Sequence, residues 1–472
     1  MNAKAPEPSD DDISASEEWL YEVRKKIYSR SVTGWFNNWR VFMVVFTQAL
    51  FYGLPWLQWD GRQAVLLDLS TRKFYFFGMI LWPQDVIFLA LLLIISAYGL
   101  FLFTAIAGRL FCGYACPQTV YTEIFMWIER KVEGDRLARI RLDGSDWNAR
   151  KIGKKALKHG LWIAVALWTG FTFVGYFTPI LTLAGQVISA SLGPWQTFWI
   201  LFYGFATYGN AGFMREQVCK YMCPYARFQS VMIDKDTLIV TYDTERGEPR
   251  GKRGKHVDPR AQGKGDCVDC SICVQVCPTG IDIRDGLQYM CIGCGACVDA
   301  CDQVMDKVGY PRGLIRYSSE NAMKNKWSKR QQWAHLLRPR ILIYSALLLI
   351  MVGLFVGGLA TRNPLKMNVM RDRGVLSREI PGGLVENVYQ IQLMNTTEKA
   401  RKIRVEVKGL EGVAVHDRNA YELPASTNIL EPLEVTIPVD NAKKGVYKIE
   451  IIATSEGEKP ISASSKTTFI VP

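Results

Sequence analysis

Twelve cysteines are the residues of this chain with the clearest chemical potential, and all of them fall between Cys112 and Cys301. Eight of them repeat one spacing, Cys-x-x-Cys-x-x-Cys-x-x-x-Cys, first in Cys267, Cys270, Cys273 and Cys277 and then in Cys291, Cys294, Cys297 and Cys301. In two-cluster ferredoxins the first three thiolates of such a run bind one 4Fe-4S cluster and the fourth binds the other cluster. The spacing therefore predicts two interleaved cofactor-binding quartets, which are Cys267, Cys270, Cys273 with Cys301, and Cys291, Cys294, Cys297 with Cys277.

The residues around these cysteines favour iron-sulfur clusters over zinc. Pro278 follows Cys277 as the ferredoxin signature asks, although Asp302 stands where a second proline would follow Cys301. Gly293 and Gly295 are small enough to let backbone amides approach cluster sulfurs. Structural zinc also uses Cys-x-x-Cys, but a tetrahedral zinc site does not call for eight interleaved cysteines.

The other four cysteines form a second repeat, Cys112-Gly-Tyr-Ala-Cys116-Pro and Cys219-Lys-Tyr-Met-Cys223-Pro. Cysteines four apart share one face of a helix, so each pair could chelate a soft metal ion or close as a redox-active dithiol. Both pairs together could form one four-thiolate site for Cu(I), zinc or an iron-sulfur centre. A purely structural role as small buried side chains at a helix end stays open.

Uncharged stretches predict the elements that position these cysteines. Charge is absent from residues 41–59, 86–108, 161–214 and 341–361. A membrane-spanning helix needs roughly 20 apolar residues, which fits one span in each of the three shorter stretches. The longest stretch has a glycine, serine and proline hairpin at Gly185 to Pro194 and predicts two spans. We therefore expect five transmembrane helices.

Basic residues predict the orientation of these helices. Eleven Lys and Arg lie between Arg109 and Gly160, against three between the first two predicted spans. Because Lys and Arg in short loops stay preferentially inside, the N-terminus and the cysteine-rich region are expected in the cytoplasm and the C-terminal region outside. The same bias and anionic lipid account for the net charge of +12, so nucleic-acid binding is not expected.

The ends of the chain have different patterns. Residues 13–30 predict an amphipathic helix on the membrane surface, with an ordinary solvated helix as an equal alternative. From about residue 366 apolar and polar residues alternate, as in Tyr389-Gln-Ile-Gln-Leu393, which predicts an all-β immunoglobulin-like sandwich. The predicted fold is thus a multidomain membrane protein divided into an N-terminal segment (1–38), a four-helix transmembrane domain (39–235), a two-cluster ferredoxin-like domain (236–340), a fifth transmembrane helix (341–361) and the sandwich (362–472).

The combination of motifs resembles the CcoG/FixG/RdxA proteins, which are accessory factors of cbb-type cytochrome c oxidase. The residues that carry the resemblance are the two Cys-x-Tyr-x-Cys-Pro motifs, Arg246-Gly-Glu-Pro-Arg-Gly251, Cys277-Pro-Thr-Gly-Ile-Asp-Ile-Arg-Asp-Gly286 and Gly313-Leu-Ile-Arg-Tyr317. The resemblance covers nearly the whole chain. It implies a bacterial inner-membrane protein that serves oxidase assembly by reducing Cu(II) to Cu(I), with cytoplasmic clusters and a periplasmic immunoglobulin-like domain.

The resemblance also implies roles and partners. The family's membrane-proximal motifs map onto Cys112, Cys116, Cys219 and Cys223, which become the candidate catalytic and copper-binding residues. The implied partners are membrane lipid, a copper transporter or oxidase assembly factors, a soluble cytoplasmic electron donor and, as an option, a second copy in a homodimer. Two other functions stay open: a quinol-linked respiratory electron-transfer subunit and a non-enzymatic scaffold for oxidase assembly.

Overall fold

A computed structural model of the chain describes residues 26–252, 263–335, 337–371, 377–397, 399–416, 419–441, 443–456 and 460–472. The amphipathic helix predicted at 13–30 lies outside the described residues as far as residue 25. Its described end, residues 26–30, is not helical. The first helix of the described part begins at Trp35.

The helices of the described part vary from one turn to 27 residues. In chain order they are α1 (Trp35–Gly53), α2 (Val86–Ala107), α3 (Leu110–Tyr114), α4 (Pro117–Glu133), α5 (Arg136–Gly144), α6 (Ala149–Gly175), α7 (Ile180–Ile188), α8 (Pro194–Thr207), α9 (Pro224–Met232), α10 (Thr244–Gly247), α11 (Ile272–Val276), α12 (Ala296–Val308), α13 (Glu320–Lys324), α14 (Lys329–His335) and α15 (Pro339–Ala360). Two π-helical segments, Tyr208–Met214 and Val218–Met222, lie between α8 and α9.

Among the described residues, three helices are long and apolar enough to cross a membrane: α2 with its preceding turn (Pro83–Ala107), α6 and α15. The prediction of five spans is therefore supported for three. Residues 41–59 contribute most of α1, which ends at Gly53 because Pro55 follows within a 3-10 turn. The second half of the 161–214 stretch is divided into α7 and the 14-residue α8, each shorter than a span.

In the part of the chain that the structure describes, the strands lie in five separate sheets. In chain order they are β1 (Gln58–Trp59), β2 (Arg62–Gln63), β3 (Val65–Asp68), β4 (Lys73–Phe76), β5 (Met79–Leu81), β6 (Ile239–Tyr242), β7 (Ile315–Ser318), β8 (Leu365–Arg371), β9 (Arg378–Ile380), β10 (Leu384–Asn395), β11 (Arg401–Lys408), β12 (Ala414–Val415), β13 (Ala420–Leu423), β14 (Asn428–Pro438), β15 (Gly445–Ser455) and β16 (Ser462–Val471). Strands β1 and β2 form one small sheet, and β3, β4 and β5 form another.

The chain divides into two compact units, each built from three segments. The first unit consists of the described residues within 1–46, 103–165 and 206–337 and holds all twelve cysteines. The second consists of residues 47–102, 166–205 and 338–472. Segments from distant parts of the sequence therefore pack together within each unit.

Within the second unit, the C-terminal strands form two antiparallel sheets. One has the order β12-β14-β10-β8, with β9 also paired to β10, and the other has the order β13-β11-β15-β16. Side chains from both sheets fill one core, in which Ile391, Val435 and Ile451 are fully buried. The alternating pattern of β10 and β15 supplies this buried face, so the prediction of an immunoglobulin-like sandwich is confirmed.

Candidate iron-sulfur centre and the thiols beside it

The two-stranded sheet of β6 and β7 frames the cysteine-rich module. The strands pair antiparallel, with Val240 opposite Tyr317, and the chain between them carries α11 and α12. Met305, Leu314 and Ile315 are almost completely buried in the core beneath them. Loops that carry the cysteines are therefore attached to a packed support rather than to a free linker.

Five of the predicted ligands line one cavity of the module. Cys277, Cys291, Cys294 and Cys297 surround it together with Cys273, and the remaining lining includes three isoleucines, Ile281, Ile283 and Ile292. The structure thus brings the fourth cysteine of the first run to the first three of the second run. The four thiols of this quartet and the apolar lining suit a 4Fe-4S cluster, because each cluster iron takes one thiolate and the apolar shell limits water.

The other predicted quartet is also brought together. Burial raises the pKa of the Cys301 thiol to about 12, and the neighbouring thiols Cys273, Cys267 and Cys270 contribute to that rise. Cys301 therefore lies within electrostatic range of the first run. Cys267 and Cys273 are buried, whereas Cys270 is exposed.

Cys297 shows how the two quartets adjoin. Burial raises its pKa well above the usual value, and Cys294, Cys291 and Cys277 add to the rise. Cys273, from the other quartet, acts in the same direction. The eight thiols therefore form two neighbouring groups.

Two glycines hold the second cysteine run in a left-handed backbone. Gly293 has φ +61° and Gly295 has φ +72°, a region that costs a side chain energy but costs glycine none. Gly295 precedes α12, and a Cβ there would stand 2.7 Å from the ring of Phe36. Alanine at Gly295 would therefore meet both backbone strain and a steric clash.

The membrane-proximal motifs share a local structure that differs from the predicted helix. Cys112 lies in α3, which ends at Tyr114, and Cys219 lies in the π-helix Val218–Met222. The second cysteine of each motif, Cys116 or Cys223, has an extended backbone and caps the helix that follows. The expectation that each pair shares one helical face is wrong, because a residue before proline is pushed out of the α-region.

The four thiols nevertheless lie near one another. Burial raises the pKa of Cys112 to about 12, and Cys116 and Cys219 contribute to that rise. Burial raises the pKa of Cys219 to about 11, and the neighbouring thiols Cys116 and Cys223 contribute to that rise. The Cys112 Sγ donates a hydrogen bond to Gln229 Oε1 at 3.3 Å. We call Cys112, Cys116, Cys219 and Cys223 the proximal thiols.

Single-ion coordination is not preformed in the described part of the chain. No three or more Cys, His, Asp or Glu side chains there stand close enough together to hold one metal ion. Ligands of one tetrahedral zinc all lie about 2.3 Å from a single point, whereas the thiolates of a cubane each bind a different iron atom. The preference for clusters over zinc rests on the eight-cysteine pattern of the sequence.

Comparisons with known proteins identify 4Fe-4S domains in the parts of the chain that carry the cysteines. Residues 214–320 match a family described as a 4Fe-4S dicluster domain, and residues 89–133 match a 4Fe-4S binding domain. Residues 355–472 match the IG-like fold at the C-terminal of FixG, a candidate oxidoreductase by the same description. The Nitrogen fixation protein FixG of Rhizobium meliloti is 37% identical over 463 residues, covering 90% of this chain and 88% of FixG.

The chain belongs to the FixG/RdxA/RdxB family. Protein RdxB of Cereibacter sphaeroides is 42% identical to this family member over 429 residues, which cover 87% of the chain and 89% of RdxB. A solved FixG-related protein from Vibrio parahaemolyticus is 27% identical, covers 23% of the chain and 97% of its own length, and has a TM-score of 0.21. The relatives FixG, RdxA and RdxB confirm the resemblance noted from the motifs. The family member has 4Fe-4S domains and three candidate membrane-spanning helices among its described residues.

Sequence reasoning missed three residues beside the cysteines of this FixG/RdxA/RdxB family member. Gly113 lies against the second cysteine run. Gln229 accepts a hydrogen bond from the thiol of Cys112, and Arg40 is buried near Cys294. Arg40 gave a signal, since it is a lone charge beside an apolar stretch. Gly113 stands inside the Cys-x-Tyr-x-Cys-Pro motif, but its contact is tertiary and has no local pattern.

Proposed function

We propose that this protein transfers single electrons through two 4Fe-4S clusters to Cu(II), producing Cu(I) for the assembly of cbb-type cytochrome c oxidase. The observation that carries the proposal is the grouping of the cysteines into three neighbouring sets, two ferredoxin quartets and the proximal thiols. A bound 4Fe-4S cluster supplies one-electron redox chemistry. Reduction of Cu(II) to Cu(I) also needs one electron, so donor and substrate match in stoichiometry.

The proximal thiols are better ligands for Cu(I), the product, than for Cu(II), the substrate. Thiolates select Cu(I), so binding at any pair of these cysteines would favour the reduced ion and draw the reaction forward. The raised pKa of Cys112 and Cys219 means that both thiols carry protons at neutral pH in the metal-free protein. Binding of copper would therefore release protons, and copper affinity would increase with pH.

The proposed setting is the bacterial inner membrane, with multiple spans. The excess of Lys and Arg between residues 109 and 160 supports cytoplasmic ferredoxin quartets and a periplasmic immunoglobulin-like domain. A soluble cytoplasmic donor would then supply electrons. The sandwich would contact a copper transporter or an oxidase assembly factor on the other side.

Cupric reductase activity of the purified protein tests the proposal. Anaerobic protein with its iron content measured is given a low-potential donor and Cu(II), and Cu(I) is trapped by a chromogenic chelator. The variants Cys112→Ser and Cys219→Ser should lose most of the activity while keeping the iron of the ferredoxin quartets. Ser keeps the size of the side chain and removes the soft ligand.

Two results would reject the copper proposal. Full activity in both variants would show that the proximal thiols take no part. An inactive wild-type protein with intact clusters would reject copper reduction itself. In that case, oxidation of a quinol analogue would favour the respiratory alternative, and no redox activity at all would favour a scaffold.

A further inference from the structure

Helix α3 contacts the second cysteine run through Gly113, which has no side chain. A Cβ placed on Gly113 would stand 2.8 Å from the carbonyl oxygen of Ile292 and 3.0 Å from the Cα of Cys294. The first distance is shorter than real Cβ contacts and the second is tighter than most of them, and both partners are backbone atoms, so glycine favours this approach. The backbone next to Cys112 is therefore in direct contact with the backbone of a predicted cluster ligand.

Hydrogen bonds fix the same contact from both sides. Tyr114 Oη donates to the carbonyl oxygen of Cys294 at 3.1 Å. Tyr317 of β7 donates to the carbonyl oxygen of Gly293, and Arg109 donates to the carbonyl oxygen of Tyr289. The loop that carries Cys291 and Cys294 is thus held between α3 and the supporting sheet.

Cys112 itself packs at this contact. It is partly buried against an apolar cluster formed by Val276, Ile292, Cys294, Ala296 and Ala300. Its thiol belongs to the proximal group through Cys116 and Cys219. One residue therefore joins the proximal thiols to the second quartet.

Of the eight ferredoxin cysteines, Cys270 is the one exposed side chain, and it belongs to the first quartet. Cys270 of the first quartet is exposed, whereas Cys294 is buried under α3. A soluble redox partner can approach an exposed ligand closely, but it cannot approach a covered one. The two ends of the eight-cysteine module are thus suited to different exchange partners.

We propose that electrons enter the module at the exposed Cys270 quartet and leave it across the contact between Gly113 and Ile292–Cys294, toward Cys112. Gly113 is a positioning residue, since it sets how closely the two backbones approach. The route rests on the proposed function: a one-electron donor is oxidised at the Cys270 side, and one Cu(II) is reduced to Cu(I) at the proximal thiols for each electron delivered.

The test compares two glycine-to-valine variants. Gly113→Val inserts bulk between α3 and the Ile292–Cys294 backbone, whereas Gly153→Val in α6 is a matched control with no atom within 4 Å of its added Cβ. Each protein is reduced anaerobically and mixed with Cu(II) while the iron-sulfur absorbance is followed. Gly113→Val should reoxidise several-fold more slowly than wild type, and Gly153→Val should match wild type.

A second readout does not depend on activity. Hydrogen exchange of residues 291–295 should become faster in Gly113→Val and stay unchanged around residues 267–273, with iron content retained in both variants. If the Gly113→Val protein loses iron, the variant Tyr114→Phe is tested in its place. Tyr114→Phe removes the hydrogen bond to the Cys294 carbonyl oxygen without adding bulk. That variant should also slow reoxidation.

The outcomes separate the route from the function beneath it. A wild-type rate in an iron-replete Gly113→Val protein, or in Tyr114→Phe if that variant has to be used, overturns the route alone. Wild-type protein that leaves Cu(II) unreduced rejects both the proposed function and the route. Slower reoxidation together with faster local exchange supports the route.

Discussion

Arg40 is a buried cation beside the second quartet. Its guanidinium pairs with the carboxylate of Glu123, and the two side chains are only 6% and 10% exposed. Arg130 also pairs with Glu123, at 2.9 Å. Burial raises the pKa of Cys294, and Arg40 opposes that rise. The guanidinium is therefore close enough to stabilise negative charge on the quartet.

Replacing Arg40 should change one reduction potential. A cluster gains negative charge on reduction, so loss of a nearby buried cation disfavours the reduced state. Arg40→Gln should lower the midpoint potential of the cluster on Cys291, Cys294, Cys297 and Cys277 and leave the other potential nearly unchanged. A redox titration followed by electron paramagnetic resonance measures both.

Arg130→Gln is the control for Arg40→Gln. It removes the other partner of Glu123 but leaves Arg40 beside Cys294, so it should shift that potential less. Equal shifts in the two variants would show that the position of Arg40 has no special effect.

Buried thiols predict how the metal-free protein responds to alkali. Burial raises the pKa of Cys112, Cys291 and Cys301 to about 12 each. An unfolded thiol titrates near pH 8.5, so between about pH 8.5 and pH 12 the unfolded state loses protons that the folded state keeps. The contribution of these thiols to stability is full below pH 8.5 and declines as the pH rises toward 12.

Denaturant unfolding of metal-free, reduced protein at pH 8, 9 and 10 checks this prediction. The free energy of unfolding should fall with increasing pH, and a variant with Ser at Cys112, Cys291 and Cys301 should show a flatter dependence. Other groups titrate in this range, so the difference between the two proteins is the relevant quantity. Parallel curves would contradict the prediction.

The fixed local spacing of the ferredoxin cysteines predicted a two-cluster domain, which the family match confirms, and their pairing into quartets stays a prediction. Contacts such as Gly113 against Cys294 join residues 181 positions apart in the chain. No local pattern encodes such a contact. The ion pair between Arg40 and Glu123 is also encoded by no local pattern. It could not be identified before the packing of α1 and α4 was known.

At the scale of elements, proline explains where the sequence reading failed. The i, i+4 spacing of Cys112 and Cys116 is helical in the sequence, but Pro117 begins a new helix and leaves Cys116 extended. The same happens at Cys223 and Pro224. The π-helical segments before Cys223 could not be predicted, because they have no distinctive composition.

Asp85 connects three elements of the second unit. It precedes α2, its side chain is 2% exposed, and it pairs with Arg362 just after α15 at 2.5 Å. It also pairs with Lys366 of β8 and accepts a hydrogen bond from the Trp82 amide. One carboxylate thus joins the ends of two candidate spans to the first strand of the sandwich.

Asp85→Asn should destabilise the second unit. The amide is similar in size but leaves two cations without their anion, and removing one partner of a buried ion pair costs about 3–5 kcal/mol. Unfolding in detergent micelles, followed by tryptophan fluorescence, measures the loss. Asp60→Asn, at an exposed turn position, is the control and should change stability by less than about 0.5 kcal/mol.

A wild-type unfolding curve for Asp85→Asn would contradict the role given to this carboxylate. Destabilisation of the same size in Asp60→Asn would point to a general effect of lost negative charge. Only a difference between the two variants supports the ion-pair cluster.

At the scale of the whole molecule, hydropathy and alternation predicted the kinds of structure better than their boundaries. Strand alternation identified the sandwich because each strand buries one face in a shared core. Uncharged stretches identified three long apolar helices. They could not show that residues 177–214 form short helices and a π-helical segment, since every such conformation is compatible with an uncharged sequence.

Iron and acid-labile sulfide in anaerobically purified full-length protein test the central claim most directly. Two 4Fe-4S clusters on the eight ferredoxin cysteines require about eight iron atoms and about eight sulfides per chain, with electron paramagnetic resonance signals from two clusters after reduction by dithionite. A Cys294→Ser variant should lose the signal of one cluster. Zinc in place of iron and sulfide would contradict the account, and about twelve iron atoms would contradict the assignment of the proximal thiols to copper.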